Sequence, residues 1–261
     1  MRHEEFAPPP ALRESIQCFW HNRADFGAEA TSFEVLPDGY AEIIFYFGSG
    51  VSIVCDGGLR PLPSPFIMGL LNQPVLLSAQ GRFEILAVRC FPWTVFDLLG
   101  LASGQDEVRV LSHPVAQLQP ALASALEAGQ VEAALALLAG YFLDAAALTR
   151  SAPDRLLSRA GGALRESRGS MPVHEVAAAA HATVRTLERR FKQSSGRTVR
   201  DVAGLMRFEQ VRNRLVLEPD ASLAELAQAV GYTDQSHLSR EFKRYSGMTP
   251  SAFARKRQGA R

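Results

Sequence analysis

The sequence has little of what metal sites and disulfide frameworks require. It contains three cysteines, Cys18, Cys55 and Cys90, which are far apart and form no C-x-x-C pair. An odd number of widely spaced cysteines is typical of reduced thiols that are buried as small hydrophobic groups. The histidines of the N-terminal half show no H-x-H or H-x-x-x-H spacing. We therefore expect no metal, no disulfide and no other cofactor.

Long apolar runs and a basic leader are also missing. The longest apolar stretch, 133–143, is much shorter than the ~20 residues of a membrane-spanning helix. The N-terminal sequence MRHEEFAPPP has acidic residues where a signal peptide is basic, and no apolar segment follows it. We therefore expect a cytoplasmic protein without a membrane partner.

Lysine is absent from the first 153 residues, and this absence is part of a division of charge along the chain. Residues 1–153 contain 8 Arg and 16 Asp and Glu, a net charge of −8, whereas residues 154–261 contain 20 Arg and Lys and 11 acidic residues, a net charge of +9. The overall charge of +1 hides this division. Because a basic domain attracts polyanions, we expect two domains, the second of which binds nucleic acid.

The last forty residues predict two short helices joined by a tight turn. Ser222 and Glu225 have the spacing of a capping box, so a helix should begin there. Gly231 suits the left-handed residue that ends this helix. Thr233 or Asp234 should begin the second helix, whose outer face carries amides, hydroxyls, an imidazole and cations. Two helices around a glycine turn are typical of a helix-turn-helix, and such side chains can bind base edges in a major groove.

This unit occurs twice. LERRFKQSSGRTVRDV at 187–202 matches LSREFKRYSGMTPSAF at 238–253 with a constant offset of 51. The predicted units are 173–194 and 222–245, and the apolar residues between them recur at helical steps over 199–217. A repeat of this period indicates a duplicated structural unit. We therefore expect two helix-turn-helix units joined by one straight helix.

These motifs resemble the AraC/XylS family of bacterial transcription regulators. The resemblance rests on T-x-R-x-L-x-R-x-F at 183–191, FK-x-x-x-G in both units, GY-x-D-x-S-x-L-x-R-x-F at 231–242 and TP-x-x-F at 249–253. One departure is Val199, where the second unit has Pro250. It concerns only the start of the connecting helix.

The resemblance implies an all-α tandem helix-turn-helix domain over 154–257 that binds double-stranded DNA sequence-specifically. It also implies regulation of bacterial promoters, including activation, with RNA polymerase as a partner. A purely architectural nucleoid protein is a weaker alternative, since the acidic N-terminal half has no place in it.

The outward side chains of the two second helices are the candidate DNA contacts. By position in the matched motif, the residues expected to contact bases are Arg185, Glu188, Arg189, Gln235, Ser236, His237 and Arg240. Arginine can bind guanine, glutamine adenine, and glutamate the amino group of cytosine. Lys192, Lys243 and Arg244 are expected at phosphates, and Thr186 is a further outward residue. For each of them the alternative is a solvated surface side chain.

The connecting helix sets the spacing between the units. Its nineteen residues span about 28 Å at ~1.5 Å per residue, whereas successive major grooves on one face of DNA are ~34 Å apart. We therefore expect the units to enter adjacent major grooves of DNA that bends toward the protein, or one unit to engage weakly.

Residues 1–111 are expected to form a β-rich regulatory domain. Short apolar segments alternate with turn residues over 33–91, as in a small barrel or sandwich. Sensing domains of the family are often cupin-like barrels, so the resemblance agrees. The predicted class is α+β with two domains: an N-terminal small β-barrel or sandwich with a helical hairpin, and the C-terminal all-α tandem helix-turn-helix domain.

A small-molecule effector is expected to bind in this N-terminal domain, at residues that the sequence does not identify. Aromatic residues suit an apolar pocket, but an ordinary core would contain the same residues: Trp20, Phe33, Tyr40, Phe45, Phe47, Phe66, Phe91 and Trp93.

Catalysis in this domain has little support. Glu34, Asp38 and Glu42 are close in sequence, but Asp38 suits a turn with Gly39 and the glutamates suit solvated strand ends. We expect no enzyme. The remaining alternative is an enzymatic or sugar-binding barrel that carries a DNA-binding module.

Residues 112–150 are expected to contain a helical hairpin over 115–147 and a linker at 150–153. Leucines at helical spacing on both sides of Gly129 predict the two helices. In many relatives, helices after the barrel form a dimer contact, so the resemblance makes a homodimer plausible. The alternative is that the hairpin only covers the sheet.

Overall fold

The computed structural model describes residues 2–94, 98–101, 108–148 and 155–258. The chain divides into two compact units. The first consists of Met1–Val35, Tyr40–Gly69 and Val75–Ala152, and the second of Leu36–Gly39, Leu70–Pro74 and Pro153–Arg261. The expected linker at 150–153 lies outside the described residues.

The first unit is built on two antiparallel sheets. Its described strands are β1 Arg2–Phe6, β2 Ile16–Asp25, β3 Thr31–Val35, β4 Ala41–Gly48, β5 Val51–Cys55, β6 Gly58–Pro61, β7 Phe66–Met68, β8 Val75–Ala79, β9 Arg82–Cys90 and β10 Val108–Val110. One sheet has the order β1-β2-β9-β4-β7-β10 and the other β3-β8-β5-β6. Within the described residues neither sheet closes, so the prediction of a small barrel or sandwich is confirmed in its open, two-sheet form.

Two strands precede the region in which the sequence predicted strands. β1 and β2 come before Phe33, and β2 pairs with β9 from Ile16 to Asp25. The second half of β2 carries His21, Asn22 and Arg23. These polar residues interrupt the apolar pattern by which a strand is recognised in a sequence.

A helical hairpin follows the sheets. Its helices are α1 Gln119–Glu127 and α2 Val131–Leu148, separated by Gly129 with a left-handed φ of 72°. Leu122, Leu138 and Phe142 are fully buried in one cluster with Phe45 of β4, and burying each such side chain contributes about 1.5–3 kcal/mol. One side of the hairpin therefore covers the first sheet.

Glu42 is not a solvated strand end, as the sequence suggested. It is 9% exposed and its Oε1 accepts hydrogen bonds from Trp20 Nε1 at 3.1 Å and Arg89 Nε at 2.8 Å. A buried carboxylate needs such partners because desolvation is costly. Glu42 thus has a structural role.

The cysteines differ in exposure. Cys18 and Cys90 are buried, and burial raises the pKa of the Cys90 thiol far above its usual range. Cys55 is exposed, contrary to expectation, because it ends β5 at the β5–β6 hairpin. Within the described ranges, no three His, Cys, Asp or Glu side chains lie together as metal ligands do, and no helix there is both long and apolar enough to span a bilayer.

The second unit is helical. Its described helices are α3 Arg155–Glu166, α4 Val173–Ala179, α5 Val184–Ser195, α6 Val199–Leu217, α7 Leu223–Ala229, α8 Gln235–Ser246 and α9 Pro250–Gln258. Phe208 of α6 is central to its core, with its ring centroid 4.9 Å from that of Phe242 and 5.3 Å from that of Tyr245. The C-terminal all-α prediction is confirmed.

Local chemistry explains where these helices begin and end. Thr198 and Asp201 form a reciprocal capping box at the start of α6. Ser222 caps α7 by accepting the N–H of Glu225 at 3.4 Å, but within the described residues its own N–H makes no return hydrogen bond to the exposed Glu225 carboxylate. Gly196 and Gly247 end α5 and α8 with left-handed φ values of 73°.

Candidate nucleic-acid interface

The two helix-turn-helix units are α4–α5 and α7–α8, and their turns differ. In the second turn Gly231 is left-handed, with φ of 81°, and in the first its counterpart His181 has φ of 52°. Thr183 then caps α5 through the N–H of Thr186, and Asp234 caps α8 through the N–H of His237. Of the two residues that the sequence offered for the start of α8, Asp234 is therefore the cap.

α5 and α8 present the same kind of exposed face. On α5 the exposed residues Arg185, Arg189 and Lys192 follow one another at steps of four and three, which places them on one side of the helix. Their counterparts on α8, 51 residues later, are Ser236, Arg240 and Lys243, and these are exposed as well. Both faces combine hydrogen-bond donors with positive charge.

The remaining expected contacts on α8 are also at its surface. Gln235 is exposed at the first position of the helix, and His237 is partly buried with its ring edge-on to Tyr232, 5.2 Å between centroids. Arg244 is exposed, and its Nη2 lies 3.5 Å from the Asp201 carboxylate of α6. An exposed pair of this kind contributes at most about 1 kcal/mol and is readily exchanged for a phosphate.

Two of the expected contacts on α5 interact within the protein. The Thr186 hydroxyl is 3.0 Å from the Thr183 hydroxyl at the helix start. Glu188 Oε2 accepts the backbone N–H of Val199, the first residue of α6, at 3.0 Å. The Glu188 carboxylate thus ties α5 to the start of α6.

This bond accounts for the difference between the two repeats at Val199. Its counterpart Pro250 begins α9 and has no N–H to satisfy. The counterpart of Glu188 is Ser239, which is too short to make the same reach. Where proline is replaced by valine, a glutamate therefore accepts the additional N–H.

A basic cluster that the sequence reasoning did not assign lies in the last turn of α9. Arg255, Lys256 and Arg257 are exposed there, and the Arg257 guanidinium lies over the Phe253 ring, 5.4 Å from its centroid. The run ARKR is its sequence signal.

Comparisons with known proteins agree with this geometry. A family model described as a helix-turn-helix domain matches residues 157–256, and one for a domain of unknown function, DUF6597, matches residues 4–112. The uncharacterized transcriptional regulatory protein YesN of Bacillus subtilis is 35% identical over 71 residues, 27% of this chain and 19% of YesN. The HTH-type transcriptional regulator RipA of Corynebacterium diphtheriae is 34% identical over 89 residues, 34% of this chain and 26% of RipA.

The chain thus spans about a quarter or less of the length of these relatives. Among solved structures, ToxT from Vibrio cholerae is similar over 90% of this chain and 97% of its own, with a TM-score of 0.48 and 10% identity.

The paired helix-turn-helix units and the family match make the C-terminal unit the DNA-binding domain of a transcription regulator. Through this domain the chain is similar to regulators of the AraC/XylS family, which its motifs also resemble.

The bond between Glu188 and Val199 can be tested with a double-mutant cycle. Glu188→Ala should lower the free energy of unfolding by about 1–3 kcal/mol, because it leaves the N–H of the buried Val199 without its acceptor. Val199→Pro removes that N–H, and the extended backbone of Thr198 tolerates a following proline. In the Val199→Pro background, Glu188→Ala should therefore lower the free energy of unfolding much less.

Urea denaturation of the four proteins measures this coupling. Glu188→Gln keeps an acceptor oxygen and is the control, with a smaller loss expected. If Glu188→Ala lowers the free energy of unfolding equally in the two backgrounds, the bond contributes nothing to stability.

Proposed function

We propose that the chain binds specific promoter DNA through both helix-turn-helix units and regulates transcription in bacteria. The observation that carries this proposal is the matching exposed face of α5 and α8, in which an arginine and a lysine occupy equivalent positions: Arg189 and Lys192, and Arg240 and Lys243. A promoter-binding protein acts on the chromosome, so we place it in the cytoplasm.

The proposed contacts divide into two kinds. Side chains near the starts and centres of the two helices read bases: Arg185, Arg189, Gln235, Ser236, His237 and Arg240. Cations toward the helix ends bind phosphates, namely Lys192, Lys243 and Arg244. Thr186, in the first turn of α5, is a further candidate contact. Glu188 was also expected at a base, but its bond to Val199 favours a role in positioning α5.

The length of α6 bears on the shape of the bound DNA. Its 19 residues span about 28 Å, which is shorter than the ~34 Å between adjacent major grooves. We infer that DNA bends toward the protein, at a cost on the order of 1–6 kcal/mol, so that flexible base steps contribute to specificity. The alternative is weak engagement of one unit.

The division between base and phosphate contacts predicts different outcomes for two neighbouring cations of α8. Arg240→Ala should relax the preference at one base position by about 1–3 kcal/mol. Lys243→Ala should lower the affinity for all DNA sequences alike. It should also reduce the slope of log K against log salt concentration by about 1.

Selection of bound sites from random DNA, followed by titrations at several salt concentrations, distinguishes the two variants. If Arg240→Ala and Lys243→Ala select the same sequences as the unmodified protein, with equal losses of affinity, the assignment of roles is wrong.

For the N-terminal unit we propose effector binding rather than catalysis. Of the candidate acids, Glu42 is buried and accepts hydrogen bonds from Trp20 and Arg89. The sequence offers no nucleophile or metal ligand at a spacing that would pair with it. Most of the aromatic residues considered for a pocket are in the core, among them Phe45, Phe66 and Trp93. Among the described residues of this unit, no candidate catalytic or sugar-binding group therefore supports the enzymatic or sugar-binding alternative.

A cleft of about 460 Å³ between the ends of β4 and β9 and the end of α1 is the candidate effector site, and its volume suits a small metabolite. It has apolar walls from Phe47, Phe83 and Leu126. Arg82, exposed at its edge, supplies a positive charge, while Arg23 is paired with Glu84 at 2.8 Å. Two carboxylates, Glu84 and the exposed Glu127, also line the cleft. We infer that a small organic anion with an apolar body binds on the Arg82 side, away from Glu127.

The fluorescent anion 8-anilinonaphthalene-1-sulfonate is a suitable probe for this cleft. Arg82→Ala should weaken its binding about tenfold, which corresponds to ~1.4 kcal/mol for a lost charge-assisted contact. Arg60→Ala, which removes an exposed arginine of β6 in the other sheet, should leave the affinity unchanged. Equal effects of the two substitutions would place the probe elsewhere.

A homodimer and a contact with RNA polymerase are further parts of the proposal. They rest on the family resemblance, and for the dimer also on the outer side of α2, where Ala133, Ala136 and Leu137 are exposed. Leu137→Glu should shift a dimer to monomers in sedimentation equilibrium, because it places a charge in an apolar contact. A protein that sediments as a monomer without the substitution would rule the dimer out.

A further inference from the structure

We call α5 and α8, the second helices of the two helix-turn-helix units, the first and second recognition helices. A polar network lies between α8 and α6. Arg207 of α6 donates from Nη2 to Glu241 Oε1 of α8 at 3.1 Å and from Nη1 to the carbonyl oxygen of Gly169 at 2.9 Å. The hydroxyl of Tyr232, in the turn before α8, donates to the same Glu241 oxygen at 2.8 Å. The side chains of Arg207 and Glu241 are only 14% and 16% exposed.

The two tyrosines at the network keep their hydroxyl protons near neutral pH. Burial, followed by the negative charge of Glu241, raises the pKa of Tyr232 well above its usual range, so its hydroxyl keeps its proton. The same causes raise the pKa of Tyr245, next to the network, to about 12. The Arg207 guanidinium also lies over the Tyr232 ring, 5.0 Å from the centroid.

The backbone of α6 passes close to the polar side chains of this network. A Cβ on Gly204 of α6 would lie 2.9 Å from the Tyr245 hydroxyl and 3.2 Å from Glu241 Oε1, so only glycine lets these polar groups approach α6 without displacement. The Arg207 side chain, one turn further along the helix, then reaches the same carboxylate.

The loop between α3 and α4 is held in the same place. A Cβ on Gly169 would lie 2.5 Å from the carbonyl oxygen of Ala203, and one on Gly231 would lie 3.0 Å from the Cβ of Ser170. Gln210 of α6 adds a hydrogen bond from Nε2 to the carbonyl oxygen of Arg168 at 2.7 Å. This loop, which leads into the first helix-turn-helix unit, therefore contacts both α6 and the turn of the second unit.

The network belongs to one repeat only. The counterpart of Glu241 on α5 is Arg190, so the first recognition helix cannot repeat the pair with a carboxylate. Buried ion pairs seldom stabilise a protein more than apolar residues of similar size would, and their better-supported role is to select one arrangement. The arrangement selected here is that of α8 against α6 and the α3–α4 loop.

We propose that Arg207 and Glu241 are positioning residues that fix the second recognition helix relative to the first and so set the separation of the two DNA half-sites. Neither residue contacts DNA in this role. The inference rests on the proposed binding of both units to DNA.

The test compares binding to duplexes that differ only in half-site separation. Sites are first selected from random DNA with the unmodified full chain, and then one base pair at a time is added or removed between the half-sites. Duplexes with a single half-site are measured in parallel. The variants are Glu241→Gln, Tyr232→Phe and Arg207→Met. The controls are Glu218→Gln and Arg214→Met, which break an exposed 2.7 Å pair involving the same helix.

The unmodified protein should prefer one separation strongly, because a rigid pair of recognition helices matches one half-site spacing. In Glu241→Gln and Arg207→Met this preference should fall about tenfold, while affinity for a single half-site stays within about threefold. Tyr232→Phe should have a smaller effect in the same direction, and the two controls none.

Variants that unfold cooperatively and keep the full spacing preference would overturn the inference. If Arg207→Met does not fold, the more conservative Glu241→Gln and Tyr232→Phe decide. A protein that selects half-sites but accepts every separation equally would overturn the inference and leave the proposed function intact. A protein that selects no sequence would overturn both.

Discussion

The packing of α6 against both recognition helices is the constraint on which the DNA-binding unit depends. Val202, Phe208, Val211 and Leu215 of this helix are buried, and the stacking of Phe208 on Phe242 joins it to α8. At its start, the Thr198 capping box and the carboxylate of Glu188 satisfy backbone groups that a helix leaves open. A single helix, α6, thereby packs against both α5 and α8 and holds them in one domain.

The two helix-turn-helix units have diverged both at their turns and on their exposed faces. The exposed faces of α5 and α8 keep an arginine and a lysine at matched positions. Elsewhere, glycine in one turn is replaced by His181 in the other, and proline at the start of one helix by Val199 in the other. Each replacement is accommodated locally, the second by a glutamate that accepts the added N–H.

Local signals explain why so much of the C-terminal unit could be predicted from the sequence. Caps, glycine stops and helical spacing act within a few residues, and α6 has the bounds of its apolar pattern, Val199–Leu217. The partners of Glu188 and Glu241 could not be predicted in this way, because an outward position on a helix does not show what packs there. In the first unit, Glu42 meets an arginine 47 residues away, and sheet pairing at such distances leaves no short-range pattern.

The exposed faces of α5 and α8 also follow one another in a single polypeptide, and their residues differ. Arg185 and Thr186 of α5 occupy the positions of Ser236 and His237 of α8. Under the proposed binding of both units, one chain therefore contacts an asymmetric DNA site with a left and a right end. Inverting that site beside a gene would present the rest of the chain in the opposite orientation along the DNA.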